Sequence, residues 1–138
     1  MELKIIDFGN KVKLTRAYAN DAGIDLYANI KAPMMIPAGR IAKIPLGIGI
    51  ELPIGTCALV MPRSSMTMKN LDCKLAPIDA SYRGEIHSII QNHNVRPFII
   101  RPGDCVGQLV IFNIITPTLV NTINERGERN FGSSGHNL

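Results

Sequence analysis

The densest chemistry in the chain lies in APIDASYRGEI, residues 76–86, where Asp79, Tyr82, Arg83 and Glu85 surround Gly84. A carboxylate close to an aromatic suits catalysis: the carboxylate acts on a substrate that the ring partly covers. The same residue types suit a solvated hairpin turn. The segment by itself leaves both readings open.

Four other stretches carry related chemistry. In MPRSSM, residues 61–66, Pro62 cannot donate to a strand ladder. Arg63, Ser64 and Ser65 follow at the mouth of a short helical candidate, SMTMKNLD, residues 65–72. Helix N-termini offer free N–H groups to anions, and the Arg63 fork matches phosphate oxygens; alternatively, Ser64 only caps the helix. In NDAGIDLYA, residues 20–28, Gly23 stands between Asp21 and Asp25. A carboxylate near phosphates commonly serves Mg²⁺ through its water shell, but Asp21 and Gly23 are also ordinary turn residues. In RPGDCVGQLVIF, residues 101–112, a Pro-Gly turn feeds an apolar strand whose polar member, Gln108, faces solvent or donates to a phosphate. The last stretch, RNFGSSG, residues 129–135, sets Gly132 and Ser133 beside Phe131: backbone N–H groups for phosphate oxygens and a ring for a base. Without Phe131 it reads as a linker, and the polar end as a whole also suits a frayed tail.

The elements that must position these residues read as β. Apolar segments LKII, PMMI, RIAKIPLGIGIEL, TCALVM, EIHSII, VRPFII and GQLVIFNII recur between PAG, PIG and RPGD turn signals. Ile48, Ile50 and Leu52 alternate with Gly49 and Glu51, a period of two. Many short strands in 138 residues predict one all-β domain, a jelly-roll-like barrel or sandwich with one short helix. The polar, Gly- and Ser-rich end sets expected boundaries of 1–124 for the domain and 125–138 for a C-terminal arm.

Composition narrows the partners. With 46% hydrophobic and 19% charged residues the chain is globular. No run reaches the ~18 apolar residues of a membrane helix, which sets the expectation of no membrane association and a cytoplasmic protein (host-cell nucleus or cytoplasm if the source is viral). A net charge of +4 favours an anionic ligand. The basic residues are scattered and only seven residues are aromatic, which argues for a small phosphorylated molecule and against stable nucleic-acid binding. Three cysteines without a C-x-x-C pair argue against zinc and for reduced, buried thiols.

In order and spacing, AGIDLYA, PRSSMTMK, PIDASYRGEI, GDCVGQLV and RNFGSSG resemble the five motifs of the trimeric dUTPase (deoxyuridine triphosphate nucleotidohydrolase) family, from residue 21 to about 135. The resemblance implies a β jelly roll forming a homotrimer with C-terminal arm exchange, and Mg²⁺-dependent hydrolysis of dUTP to dUMP and pyrophosphate, which limits uracil in DNA. It implies that Asp79 activates water for attack on the α-phosphorus and that Tyr82 packs on the deoxyribose, excluding ribonucleotides. Asp25 would hold Mg²⁺ through water. Arg63, Ser64, Ser65 and Gln108 would bind phosphates, with Arg126 on the terminal ones. Phe131 would stack on uracil with Gly132 and Ser133 closing over the substrate, and Ala76 and Ile78 would border the uracil site. Ala76-Pro77 stands where the family commonly has Gly-Val, adding a Cβ and removing a donor.

Two alternatives frame that reading. A dCTP deaminase relative needs a glutamate about ten residues after the motif aspartate, where this chain has Ile89. A protein with this fold and reduced catalysis would instead serve a regulatory protein partner. Arg83 and Glu85 are expected to be structural or interface residues, and His87 a bystander.

Overall fold

The structure, a computed structural model, describes residues 1–10 and 14–124. Its elements run β1 (Lys4–Asp7), β2 (Gly23–Tyr27), β3 (Met34–Ile36), β4 (Ile41–Pro45), β5 (Ile48–Glu51) and β6 (Thr56–Met61). They continue with α1 (Ser64–Met68), β7 (Leu71–Cys73), β8 (His87–Asn92), β9 (Phe98–Ile100) and β10 (Cys105–Asn113). The described chain is thus nearly all β with one short helix, as the turn spacing predicts.

The described residues form four small antiparallel sheets, with orders β1-β5, β2-β10-β6, β3-β9 and β4-β8-β7. Burial alternates along β6 and β8, the signature of strands with one face on a core. Their inward residues join Leu26, Ile44, Ile50, Ile90, Val106 and Leu109 in one hydrophobic cluster, so the sheets share a single core. The buried polar groups of β8 are satisfied: Ser88 donates to the Val106 carbonyl at 2.7 Å, and Asn92 to the Ile36 carbonyl at 3.0 Å.

Several expectations change. Gly23–Tyr27 is a strand rather than part of a turn, because Ile24, Leu26 and Ala28 alternate into the core while β10 supplies the ladder. Asp21 alone makes the turn, its carboxylate accepting from the Tyr18 N–H at 2.9 Å. The helix stops at Met68: Asn70 adopts the left-handed region, φ 59°, and Leu71 and Cys73 turn inward as β7. Its N-cap is Arg63, with no side-chain cap bond, so Ser64 is the first helical residue and not the cap. Of the three thiols only Cys73 is buried, and burial pushes its pKa up.

Among the described residues the last strand ends at Asn113, and residues 114–124 carry no strand or helix. Ile115, Leu119, Val120 and Ile123 along that stretch each expose at least 80% of their surface. The arm itself, and with it Arg126, Phe131, Gly132 and Ser133, lies outside the described residues.

Candidate active site

The segment 76–86 crosses the sheet edge rather than forming a free turn. Ile78 and Ala58 of β6 exchange two backbone bonds of 2.8 and 3.1 Å, an isolated bridge. The chain then tightens: the Tyr82 N–H donates to the Asp79 carbonyl at 3.0 Å, and the Arg83 guanidinium to the Ala80 carbonyl. Arg83 also approaches Glu51 at 3.9 Å, in keeping with a structural role. A cavity of about 240 Å³ opens under this loop. Ala76, Ile78, Asp79 and Tyr82 line it together, on a mainly apolar wall that includes Val60 and Ile86.

Sequence reasoning missed part of this lining: Lys74, Glu85 and His87 also face the cavity. Glu85 is no solvated turn residue. Its Oε2 accepts from the Gly47 N–H at 2.9 Å, a contact between positions 38 residues apart. His87 lies with its Nε2 4.0 Å from Glu85 Oε1. Nothing in local spacing signals a bond over that separation, although Glu85 stands three residues past Tyr82, within reach of the same turn.

A second group forms at one end of the β2-β10-β6 sheet. Strand register sets Gln108 between Asp25 on β2 and Met61 on β6, and Arg63 follows two residues beyond Met61. Residues from three separated motifs thus become neighbours through pairing alone. Arg63 Nη1 meets Asp25 Oδ1 at 2.6 Å. Contact with the Cys105 sulfur and the Asp25 charge raise the Arg63 pKa still further, so the guanidinium is a fixed cation. A pair this exposed contributes about 1 kcal/mol or less to stability; its consequence is orientation, since the fork keeps further N–H groups for an anion. Gln108 Nε2 donates to the Pro62 carbonyl at 3.1 Å, which turns its amide along the strand ends rather than into bulk solvent. Ser64 and Ser65 open α1 beside this group, and Ser65 borders a separate cavity of about 270 Å³ with Lys69, Asp104 and Cys105.

Chemically the two groups differ. One offers a carboxylate and an aromatic over an apolar wall, fit for a base, a sugar and a water. The other offers a cation, hydroxyls and an amide, fit for phosphates. The cavity lined by Asp79 and Tyr82 is not lined by Asp25, Arg63 or Gln108. Among the described residues no three His, Cys, Asp or Glu side chains gather as a metal cage. Asp25, a single carboxylate paired with Arg63, would suit Mg²⁺, an ion that keeps most of its waters.

The chain is similar in sequence and in fold to known proteins. A sequence model of the dUTPase family matches residues 10–135. The deoxyuridine 5'-triphosphate nucleotidohydrolase of Gloeobacter violaceus is 37% identical over 129 residues, 88% of each chain. That of Oryza sativa subsp. japonica is 37% identical over 131 residues, 91% of this chain and 75% of its own. The fold is similar to that of the Staphylococcus bacteriophage 80alpha dUTPase, with a TM-score of 0.81 at 22% identity over 89% of this chain and 97% of that one. It is equally similar to a mutant dUTPase of phage phi11 of S. aureus, with a TM-score of 0.81 at 22% identity over 90% and 98%; that protein coordinates a structural Mg(II) ion. A family match spanning nearly the whole sequence, joined to relatives more than a third identical over most of its length, makes this chain a member of the dUTPase family.

Proposed function

We propose that the chain hydrolyses dUTP to dUMP and pyrophosphate, with Asp79 as the base that activates water. Membership of the dUTPase family supports the reaction. The observation that carries the residue assignment is the joint lining of one cavity by Asp79 and Tyr82. In this reading Asp79 takes a proton from a water that attacks the α-phosphorus in line. A new P–O bond forms, the bond from the α-phosphorus to its bridging oxygen breaks, and pyrophosphate leaves. Phosphoryl transfer of this kind relies on positioning and charge neutralisation. Arg63, Ser64, Ser65 and Gln108 supply donors to the phosphates, and Tyr82 packs on the deoxyribose. Ala76 and Ile78 border the base, whose edge is read by backbone groups. Arg126, Phe131, Gly132 and Ser133 close over the nucleotide.

Mg²⁺ fits Asp25, held through water, and would neutralise phosphate charge in the reaction. A mutant of the 80alpha dUTPase has been seen with dUpNHpp, which supports a triphosphate in the site.

The working unit in this reading is a homotrimer. Two observations support it. The Asp79–Tyr82 cavity lacks the phosphate-binding side chains, so a neighbouring copy can complete it. Residues 114–124 present a row of bare apolar side chains, an exposure that marks an interface.

Pyrophosphate release from dUTP, dCTP, dTTP and UTP, each with Mg²⁺ and with EDTA, tests the reading. Release from dUTP alone, abolished by EDTA, is expected. Equal release from dCTP or UTP would refute the base and sugar assignments, and release in EDTA would refute the metal's part.

A further inference from the structure

Tyr82 is held from two directions. Its hydroxyl donates to the Glu85 carbonyl at 2.8 Å. Gly84 lies against its ring, where an added Cβ would stand 2.7 Å from Cζ. The tyrosine's place is therefore set by where the Glu85 peptide sits. That peptide is fastened to a rigid partner. Beyond the carboxylate contact to Gly47, the Ile86 N–H donates to the Ile48 carbonyl at 2.8 Å, and the Leu46 N–H to the Ile86 carbonyl at 3.2 Å. Gly47 has φ +68°, a region that favours glycine, and any Cβ there would strike Asn10 and Asn29. Its carbonyl is taken by the Phe8 N–H at 2.8 Å and the Asn10 N–H at 3.2 Å. The Gly47 peptide is gripped on its carbonyl side by the end of β1 and on its N–H side by Glu85.

We propose that Glu85 is a positioning residue for sugar selection: its carboxylate pins the loop to Gly47 and thereby fixes the carbonyl that holds the Tyr82 hydroxyl. The inference rests on the assignment of Tyr82 to the deoxyribose. A turn glutamate with no such task would project into water; this one is half-buried and lines the cavity. Loss of the brace leaves the loop on its backbone bonds to Ile48 and Leu46 alone, which lets the ring shift from the sugar and admit a 2′-hydroxyl. Small displacements of positioning groups cost large factors in rate and selectivity.

The test is kcat/KM for dUTP and for UTP, measured with Mg²⁺ on the full chain and on Glu85→Ala, Glu85→Gln and Tyr82→Ala. Glu85→Ala is expected to lower the dUTP-to-UTP ratio roughly tenfold. Glu85→Gln, whose amide oxygen still accepts from the Gly47 N–H, is expected to keep the ratio within about twofold. A folded Glu85→Ala protein with the unaltered ratio overturns the inference, provided Tyr82→Ala lowers it. Should Tyr82→Ala leave the ratio unchanged, the tyrosine assignment fails and the inference falls with it. If Glu85→Ala does not melt cooperatively, Glu85→Asp serves instead: its shorter chain withdraws the acceptor, and an unaltered ratio there is equally fatal.

Discussion

Gly23 lies directly beneath the side chain of Gln108, close enough that a single methyl group on Gly23 would occupy the space of the Gln108 amide. The two are brought together by the pairing of β2 with β10, in which Asp25 stands opposite Gln108. Gly23 is thus required by the approach of a neighbour rather than by a turn. Gly23→Ala is expected to displace the amide from the Pro62 carbonyl and from any phosphate. A hydrogen bond to a charged group is worth about 1.5–3 kcal/mol, so kcat/KM for dUTP should fall roughly ten- to a hundredfold with a cooperative melt retained. Steady-state kinetics beside a thermal melt check this; unchanged kinetics would detach Gln108 from the phosphates.

Asp79 borders the cavity from a loop tied back by the Tyr82 N–H and bridged to β6 by Ile78. Removing its charge should leave that backbone in place. Asp79→Asn is expected to lose roughly 10²–10⁴-fold in kcat, while dUTP affinity by titration calorimetry stays within a few-fold of the parent. Turnover at the parental rate would show that another group activates the water.

The separation of the Asp79–Tyr82 cavity from Arg63 makes a prediction about mixing. Asp79→Asn and Arg63→Ala proteins, each nearly inactive, are expected to regain activity when unfolded and refolded together. Some sites then draw an intact Asp79 from one subunit and an intact Arg63 from another. Activity no greater than the sum of the two separate proteins would mean that each chain builds a whole site.

What the sequence made legible follows from periodicity. Alternation over Ile48, Ile50 and Leu52 placed β5, and all three are buried. The Pro-Gly turn before Cys105 marked the start of β10, with Asp104 closing it by accepting from the Arg101 N–H at 2.8 Å. The strand at Gly23–Tyr27 was hidden because its first residue is glycine and its middle one an acid, types that speak for turns until a partner strand is known. The break after Met68 was hidden for a similar reason: SMTMKNLD carries helical residue types, and only the left-handed Asn70 ends it. Within the site, Asp79 and Tyr82 were legible as neighbours along the chain. The meeting of Asp25, Arg63 and Gln108 depends on register between strands far apart in sequence, and the bond from Gly47 to Glu85 spans 38 residues. Pairings of that kind are properties of the fold and leave no local pattern.

The attack of water on the α-phosphorus is tested most directly by hydrolysing dUTP in ¹⁸O-labelled water and weighing both products by mass spectrometry. One ¹⁸O atom is expected in dUMP and none in pyrophosphate. Label in the pyrophosphate would place the attack on the β-phosphorus and contradict the role given to Asp79.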